Sequence, residues 1–248
     1  MSLLDWIYPP KCMACQMILV PIHNGVENYL CDNCKSLFIP IEEPFCLRCG
    51  HPKKAASDQF SCAACVGKDF NFEYHRAAFA YEDVVRDLVL NIKFRSKKQV
   101  AQGLGHLFAN VCKNWNIKSD YIVPIPLHSS KKRKRGFNQA DVLAQPIGKF
   151  YGVPVAKNMI LRIKKTTPQS GLSAFAREQN LTDAFKFNNK KYNIEGKTIL
   201  LIDDIFTSGA TINACAKYLL DNNAAKVYAV SLCITLRQHS DDSALETV

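Results

Sequence analysis

The segment TILLIDDIFTSGAT, residues 198–211, determines how the C-terminal part of this chain folds. Its first five residues lack the polar alternation of a half-exposed strand, which is typical of a parallel strand covered on both faces. Asp203 and Asp204 follow at the carboxyl end of that strand. A hydroxyl-rich turn comes next, and the apolar residues after it recur at helical spacing. The segment therefore predicts a strand, a turn and a helix within an α/β domain.

The turn and the helix start suit a phosphate group. A helix N-terminus offers unpaired backbone N–H groups, and Gly209 lets the backbone approach a ligand closely. Two neighbouring carboxylates suit the hydroxyls of a ribose and an associated Mg2+, which prefers oxygen ligands. The residues predicted to bind a sugar phosphate are Asp203, Asp204, Thr207, Ser208, Gly209, Ala210 and Thr211.

Strands and helices alternate over the remainder of this region, residues 70–240, and a polar tail occupies residues 241–248. The periodicity predicts strands at Tyr74–Tyr81, Tyr121–Pro126, around Leu161 and at Val227–Thr235, and helices from Val84, from Gln99 to Trp115 and from Asn138. Asn138 is a suitable helix cap, and Pro146 should end or kink the helix that follows because it lacks a backbone donor. A parallel sheet with flanking helices is expected.

The N-terminal region is rich in cysteine: eight of the eleven cysteines lie in the first 65 residues, as four Cys-x-x-Cys pairs. The N-terminus has no basic region followed by a long apolar run, so we expect a cytoplasmic protein in a reducing compartment. Thiolates in that setting bind metal instead of forming disulfides. No stretch reaches the roughly 18 apolar residues of a membrane helix, so no membrane insertion is expected.

The cysteine spacing matches four-cysteine zinc ribbons. Sequential pairing of the knuckles gives two local sites, and a crossed arrangement that joins the first knuckle to the third also satisfies tetrahedral geometry. Residues 1–68 bury little apolar surface, so metal binding should fold this module, with about two structural zinc ions and with His23 and His51 as loop residues. The predicted ligands are Cys12, Cys15, Cys31, Cys34, Cys46, Cys49, Cys62 and Cys65.

The formal charge of +10 favours polyanionic partners such as nucleic acid or phosphorylated metabolites. A basic loop runs from residue 131 to residue 135, and a second basic cluster lies at residues 93–98. Both could follow a phosphate backbone, although such runs are often only solvated surface. Phe94 and Phe137 stand beside these basic residues and are better explained by packing than by stacking on bases.

The acid pair and its turn resemble the phosphoribosyl pyrophosphate (PRPP) signature of type I phosphoribosyltransferases. The whole chain is similar to the ComF family, also called GntX-like, in which a double zinc ribbon precedes a phosphoribosyltransferase-like domain. The supporting segments are LLDWIYPPKCMAC, YEDVVRDLVLNIKF, VPIPLHSSKKRKRGFNQA, TPQSGLSAFAREQN and the final ITLR.

The resemblance implies roles for several residues. Asp203 and Asp204 would be the catalytic acids, and residues 164–180 would form the mobile loop that closes over the sugar. The residues implied to contact pyrophosphate or nucleic acid are Lys131, Lys132, Arg133, Lys134, Arg135, Lys93, Arg95 and Arg177.

Two functions follow from the resemblance. The first is handling or uptake of single-stranded DNA during natural transformation, with PRPP or a related phosphoribosyl compound as ligand and with DNA-uptake or recombination proteins as partners. The second is phosphoribosyl transfer from PRPP and Mg2+ to an acceptor that the sequence does not reveal. Salt-dependent DNA binding would favour the first, and acceptor-dependent release of pyrophosphate the second.

Overall fold

The computed structural model describes residues 9–19, 29–53, 62, 65, 67–164, 184–188 and 191–236. The helices and strands, numbered in chain order, are α1 (Asp32–Lys35), β1 (His75–Ala80), α2 (Asp83–Arg95), α3 (Lys98–Cys112), β2 (Tyr121–Pro124), α4 (Ser129–Arg135), α5 (Gln139–Tyr151), β3 (Ile160–Arg162), β4 (Phe185–Phe187), β5 (Thr198–Phe206), α6 (Ala210–Asp221) and β6 (Lys226–Ile234). None of the helices in these ranges combines the length and the apolar character needed to cross a bilayer.

The main sheet contains four parallel strands in the order β1-β6-β5-β2. This confirms the predicted α/β architecture with flanking helices. Strand β5 is longer than its apolar run, because its pairing with β6 continues to Phe206, which lies opposite Ile234. Asp203 and Asp204 are therefore part of the strand. The sequence had indicated that they come after it.

Helix α5 begins as predicted, since the Asn138 side chain accepts a hydrogen bond from the backbone N–H of Ala140. The prediction that Pro146 ends this helix early is wrong, because α5 continues to Tyr151. The proline ring packs against α3 at Gly105, where an added Cβ would lie 3.3 Å from Pro146 Cγ. Because Gly105 has no side chain, α3 leaves space for the proline ring at this contact.

The basic run is also not a loop, as the sequence had suggested. It forms α4, which begins after His128 and ends at Gly136, a residue in the left-handed region at φ 84°. The strand predicted around Leu161 exists as β3, but it pairs antiparallel with β4 in a separate two-stranded sheet. Of the predicted mobile loop, residues 165–180 lie outside the described residues.

Two apolar clusters cover the two faces of the main sheet. The first contains residues of α2, α3 and α5 together with Cys12 and Cys34. The second contains residues of α6, β3 and β4 together with Cys46, Cys49 and Cys65. Each half of the N-terminal module is thus packed against a different face of the sheet.

Candidate functional site

The eight N-terminal cysteines form two groups of four. One group is Cys12, Cys15, Cys31 and Cys34, and the other is Cys46, Cys49, Cys62 and Cys65, with the sulfur atoms of each group within 4.8 Å of one another. The sequential pairing is therefore confirmed over the crossed alternative.

The sulfur spacing fits zinc. The Sγ–Sγ distances are 3.7 Å for Cys15–Cys31 and Cys46–Cys65 and 3.5 Å for Cys49–Cys62. A tetrahedral ion with Zn–S bonds of about 2.3 Å separates its sulfurs by roughly 3.8 Å, whereas a disulfide needs about 2.05 Å. The residues present can hold two structural zinc ions, each with four protein ligands.

The thiols of the first group differ in how readily they ionise. Burial opposes ionisation of Cys12, but hydrogen bonds from the backbone of Cys15, Cys31 and Ala14 lower its pKa to about 6. Burial and the neighbouring thiols raise the pKa of Cys34 to about 12. A shared cation removes this conflict, because all four sulfurs can then be thiolates.

His51 lies outside the helices and strands, as predicted, but it is not a surface residue. It is buried, its Nδ1 lies 3.3 Å from Cys49 Sγ, and its ring meets that of Phe206 edge to face. His51 therefore packs between the second cysteine group and the end of β5. His23 lies outside the described residues.

The predicted phosphate-binding turn joins β5 to α6. Thr207 and Ser208 are exposed, and Gly209 is the residue before the helix, at φ 78°. An added Cβ at Gly209 would lie 2.7 Å from Phe206 Cζ, so both the conformation and the space require glycine. The turn with its two exposed hydroxyl residues precedes a 12-residue helix, an arrangement whose backbone N–H groups, unpaired within the helix, suit an anion.

Asp204 is buried beside a lysine. Its Oδ2 lies 3.1 Å from Lys93 Nζ, and the side chains are 7% and 24% exposed. Arg135 Nε donates to the Lys93 carbonyl over 3.1 Å, and its guanidinium also donates to Gln139. Lys93 and Arg135 therefore lie near Asp204. The sequence had predicted them as contacts for pyrophosphate or nucleic acid.

Asp203 has a different environment. Its Oδ1 accepts a hydrogen bond from the backbone N–H of Asp204 over 2.8 Å. Burial, and then the charge of Asp204, raises the pKa of Asp203 well above its ordinary value. A bound cation would offset both effects, so this carboxyl group suits a site that is completed by a metal ion.

The other predicted basic contacts lie at the surface. Lys131, Lys132, Arg133 and Lys134 are exposed on α4, and Arg95 is exposed at the end of α2. Lys132 Nζ lies 3.7 Å from an Asp141 carboxylate oxygen, so part of its charge is already compensated. Arg177 lies outside the described residues.

A groove of about 1590 Å3 runs between the first cysteine group and helices α2 to α5. Its basic residues are Lys11, Arg95, Lys97, Lys98, Lys132 and Lys157, and Asp141 is the single acidic residue described along it. Tyr29 stacks on His106 at one wall, with ring centroids 5.4 Å apart. Sequence reasoning missed Lys11, Tyr29, His106 and Lys157 because only the tertiary fold brings them together.

Phe94 also differs from expectation. It is 79% exposed, so the prediction that it packs in the core is wrong. Phe94 follows Lys93 on α2. Because Lys93 faces Asp204 to form its ion pair, the next side chain along the helix, Phe94, points outward. Phe137 does pack, partly buried, against the first apolar cluster.

Comparisons with known proteins agree with this arrangement. Residues 3–66 match the double zinc ribbon domain, and residues 94–247 match the phosphoribosyl transferase domain. A Salmonella typhimurium protein named DNA utilization protein YhgH is 30% identical over 92% of this chain and 98% of its own length. Competence protein F of Haemophilus influenzae is 28% identical over 84% of this chain and 90% of its own. Competence protein ComFC of Bacillus subtilis is 26% identical over 80% and 81%, respectively.

Proposed function

Since this chain belongs to the ComF family, which joins a double zinc ribbon to a phosphoribosyl transferase domain, we propose that it binds PRPP with Mg2+ and handles single-stranded DNA during natural transformation. The two zinc ions hold the N-terminal module. We assign residues 1–68 to that module, residues 70–240 to the PRPP-binding domain and residues 241–248 to a tail. The protein would work in the cytoplasm, with DNA-uptake or recombination proteins as partners.

One observation carries the PRPP proposal: an exposed hydroxyl-rich turn and two acids stand together where β5 meets α6. The backbone of Thr207–Thr211 would bind the 5-phosphate of PRPP, because an α-helix begins at Ala210 and its first N–H groups are unpaired within the helix. Burial and the charge of Asp204 raise the pKa of Asp203, and a bound Mg2+ would offset that shift, so Asp203 would be a carboxylate when the metal and the ribose are bound. The turn between β5 and α6 would thus hold the phosphate, and the end of β5 would hold the sugar.

Calorimetric titration of PRPP into the zinc-loaded protein, with and without Mg2+, tests this proposal. Saturable binding that strengthens with Mg2+ and disappears in Asp203→Asn would support it. Lys217→Gln on the exposed side of α6 serves as the control and should bind as the wild type does. Absence of binding in the wild type at millimolar PRPP would contradict the proposal.

The basic groove supports the DNA part of the proposal. A single strand presents one phosphate per nucleotide to such a surface, and its unstacked bases can lie on exposed aromatic rings. Lysines along the groove and on α4 would replace counterions of the strand. Tyr29 supplies a ring at the wall of the groove, and Phe94 is an exposed ring next to Arg95, which lines it.

Fluorescence anisotropy with labelled single-stranded DNA at several salt concentrations tests the groove. We expect Lys97→Gln/Lys98→Gln to weaken binding and to reduce the salt slope by about 1.4, since each single-strand phosphate contact contributes about 0.7. Lys118→Gln/Lys226→Gln removes the same charge from exposed positions outside the groove and should change the slope little. Equal slopes for the two double variants would rule the groove out as the binding path.

Phosphoribosyl transfer is the alternative function, because the acid pair and the turn are both present. The ion pair of Asp204 with Lys93 favours binding over transfer, since that carboxylate is already neutralised. Release of pyrophosphate from PRPP upon addition of nucleobases, with loss in Asp204→Asn, would support transfer. A lack of release across acceptors, with PRPP binding intact, would leave the domain as a binding module.

A further inference from the structure

His75 links the second cysteine group to the strands that carry the acid pair. It is buried in β1, with Nδ1 2.9 Å from the Cys49 carbonyl oxygen and Nε2 2.9 Å from Ser231 Oγ. A carbonyl oxygen can only accept, so Nδ1 donates to the Cys49 carbonyl. The Ser231 hydroxyl has one proton, and His75 Nε2 and the Cys233 carbonyl oxygen each lie 2.9 Å from its oxygen, so the two acceptors share that proton. Ser231 lies on β6 directly opposite Asp203 on β5. One imidazole therefore bridges a knuckle of the second centre and the core of the sheet.

The same imidazole supports the turn. The His75 ring stacks on Phe206, with centroids 3.9 Å apart and an interplanar angle of 21°. Phe206 is the last residue of β5, and its ring occupies the space beneath Gly209. His51, which contacts Cys49, meets the same ring from another direction at 6.0 Å. Phe206 thus lies between the turn and two histidines that each contact Cys49.

A second connection reaches the first turn of α6. The Asn213 side chain accepts from the backbone N–H of Asn71 over 2.6 Å and donates to the Asp69 carbonyl over 3.0 Å. Asp69 and Asn71 follow closely after Cys65, a ligand of the second centre. The helix start that would face phosphate is therefore attached to the chain that leaves this centre.

The first centre has no comparable connection among the described residues. It packs on α3 at Gly103, where an added Cβ would lie 2.9 Å from Met13 Sδ and from the Tyr29 ring. Its buried cysteines belong to the apolar cluster on the opposite face of the sheet. The two centres are similar in chemistry but differ in what they touch.

We propose that the second four-cysteine centre sets the position of the Thr207–Gly209 turn, with His75 as the positioning residue, so that affinity for a phosphoribosyl ester depends on metal at this centre and not at the first. This inference rests on the proposed PRPP function. If metal loss reduces the competent population of the turn to about a tenth, the apparent PRPP affinity falls about tenfold.

A matched pair of cysteine variants tests the inference in the full chain. Cys62→Ser and Cys15→Ser each remove one of the less buried ligands, one from each centre. We expect each variant to lose about one zinc by elemental analysis. PRPP affinity should fall about tenfold or more in Cys62→Ser and remain within about twofold of wild type in Cys15→Ser. Equal effects of the two changes on affinity would overturn the inference.

Hydrogen–deuterium exchange of the peptide that contains Thr207–Gly209 separates this inference from the proposed function. Faster exchange there in Cys62→Ser but not in Cys15→Ser supports the coupling even if the wild type fails to bind PRPP, and only the function then falls. Unchanged exchange in both variants contradicts the coupling.

His75→Phe/Ser231→Ala covers the case in which Cys62→Ser does not fold. Phenylalanine preserves a ring against Phe206 but breaks the bridge, and alanine removes the Ser231 hydroxyl, which would otherwise keep the Cys233 carbonyl oxygen as its partner. We expect this variant to retain about two zinc ions and to bind PRPP several-fold more weakly, and Ser231→Ala alone to lie between it and wild type. Wild-type affinity and wild-type exchange at the turn in the double variant would refute the role of His75.

Discussion

Replacement of Lys93 by methionine tests the electrostatics of the acid pair. Methionine retains most of the aliphatic length but leaves Asp204, 7% exposed, without the ammonium group 3.1 Å away. Removal of one partner from a fully buried pair costs about 3–5 kcal/mol. Lys93 is about one-quarter exposed and Arg135 is also near, so we expect the free energy of unfolding to fall by about 2–3 kcal/mol.

The assay is urea unfolding followed by far-ultraviolet circular dichroism in a zinc-containing reducing buffer, with slopes compared to confirm that the same transition is observed. Lys217→Met is the control. Both side chains of the Lys217–Asp221 ion pair are exposed, so this pair should contribute at most about 0.5 kcal/mol to the free energy of unfolding. Lys93→Met/Asp204→Asn should recover much of the loss, since no uncompensated charge remains. Two results would contradict this expectation: a loss of unfolding free energy in Lys93→Met no larger than that in Lys217→Met, or a loss in the double variant equal to the sum of the losses in the Lys93→Met and Asp204→Asn single variants.

Three further changes have expected outcomes. Gly209→Ala forces a side chain into a left-handed residue against Phe206, so calorimetry should show loss of PRPP binding; an unchanged affinity would contradict the account of the turn. Gly50→Ala, at φ 74° with its Cβ 2.8 Å from the His75 carbonyl, should reduce the zinc content from about two to about one by elemental analysis, and full retention of zinc would contradict it. Burial raises the pKa of Asp141, so its protonated form contributes stability that is present below the ordinary pKa of about 3.9 and is lost as pH rises through the folded value. The free energy of unfolding of wild type minus that of Asp141→Asn should therefore fall as pH rises from the ordinary pKa through the folded value. Urea unfolding at several pH values measures this difference, and a flat or rising difference would contradict the prediction.

Local signals predicted the parts of the fold that depend on neighbours in sequence. The spacing of the knuckles favoured sequential pairing, because each ribbon is then closed by a short segment, and the structure selects it over the crossed arrangement. The Asn138 cap and the order of strand, turn and helix were likewise readable, since each uses contacts within a few residues.

Tertiary contacts determined the features that the sequence did not reveal. Pro146 continues its helix because Gly105 on another helix gives the ring space. Lys93 appeared to be a surface cation, and only the packing of α2 beside β5 brings it to Asp204. His75 showed no sequence signal at all, because its partners at Cys49 and Ser231 lie 26 and 156 residues away.

The crystal structure of the zinc-loaded chain with Mg2+ and PRPP is the most direct test of the proposed ligand site. We expect the 5-phosphate of PRPP against the backbone of Thr207–Thr211, with the ribose hydroxyls or their Mg2+ at Asp203. PRPP bound elsewhere, or this turn without ligand at saturating PRPP, would contradict it.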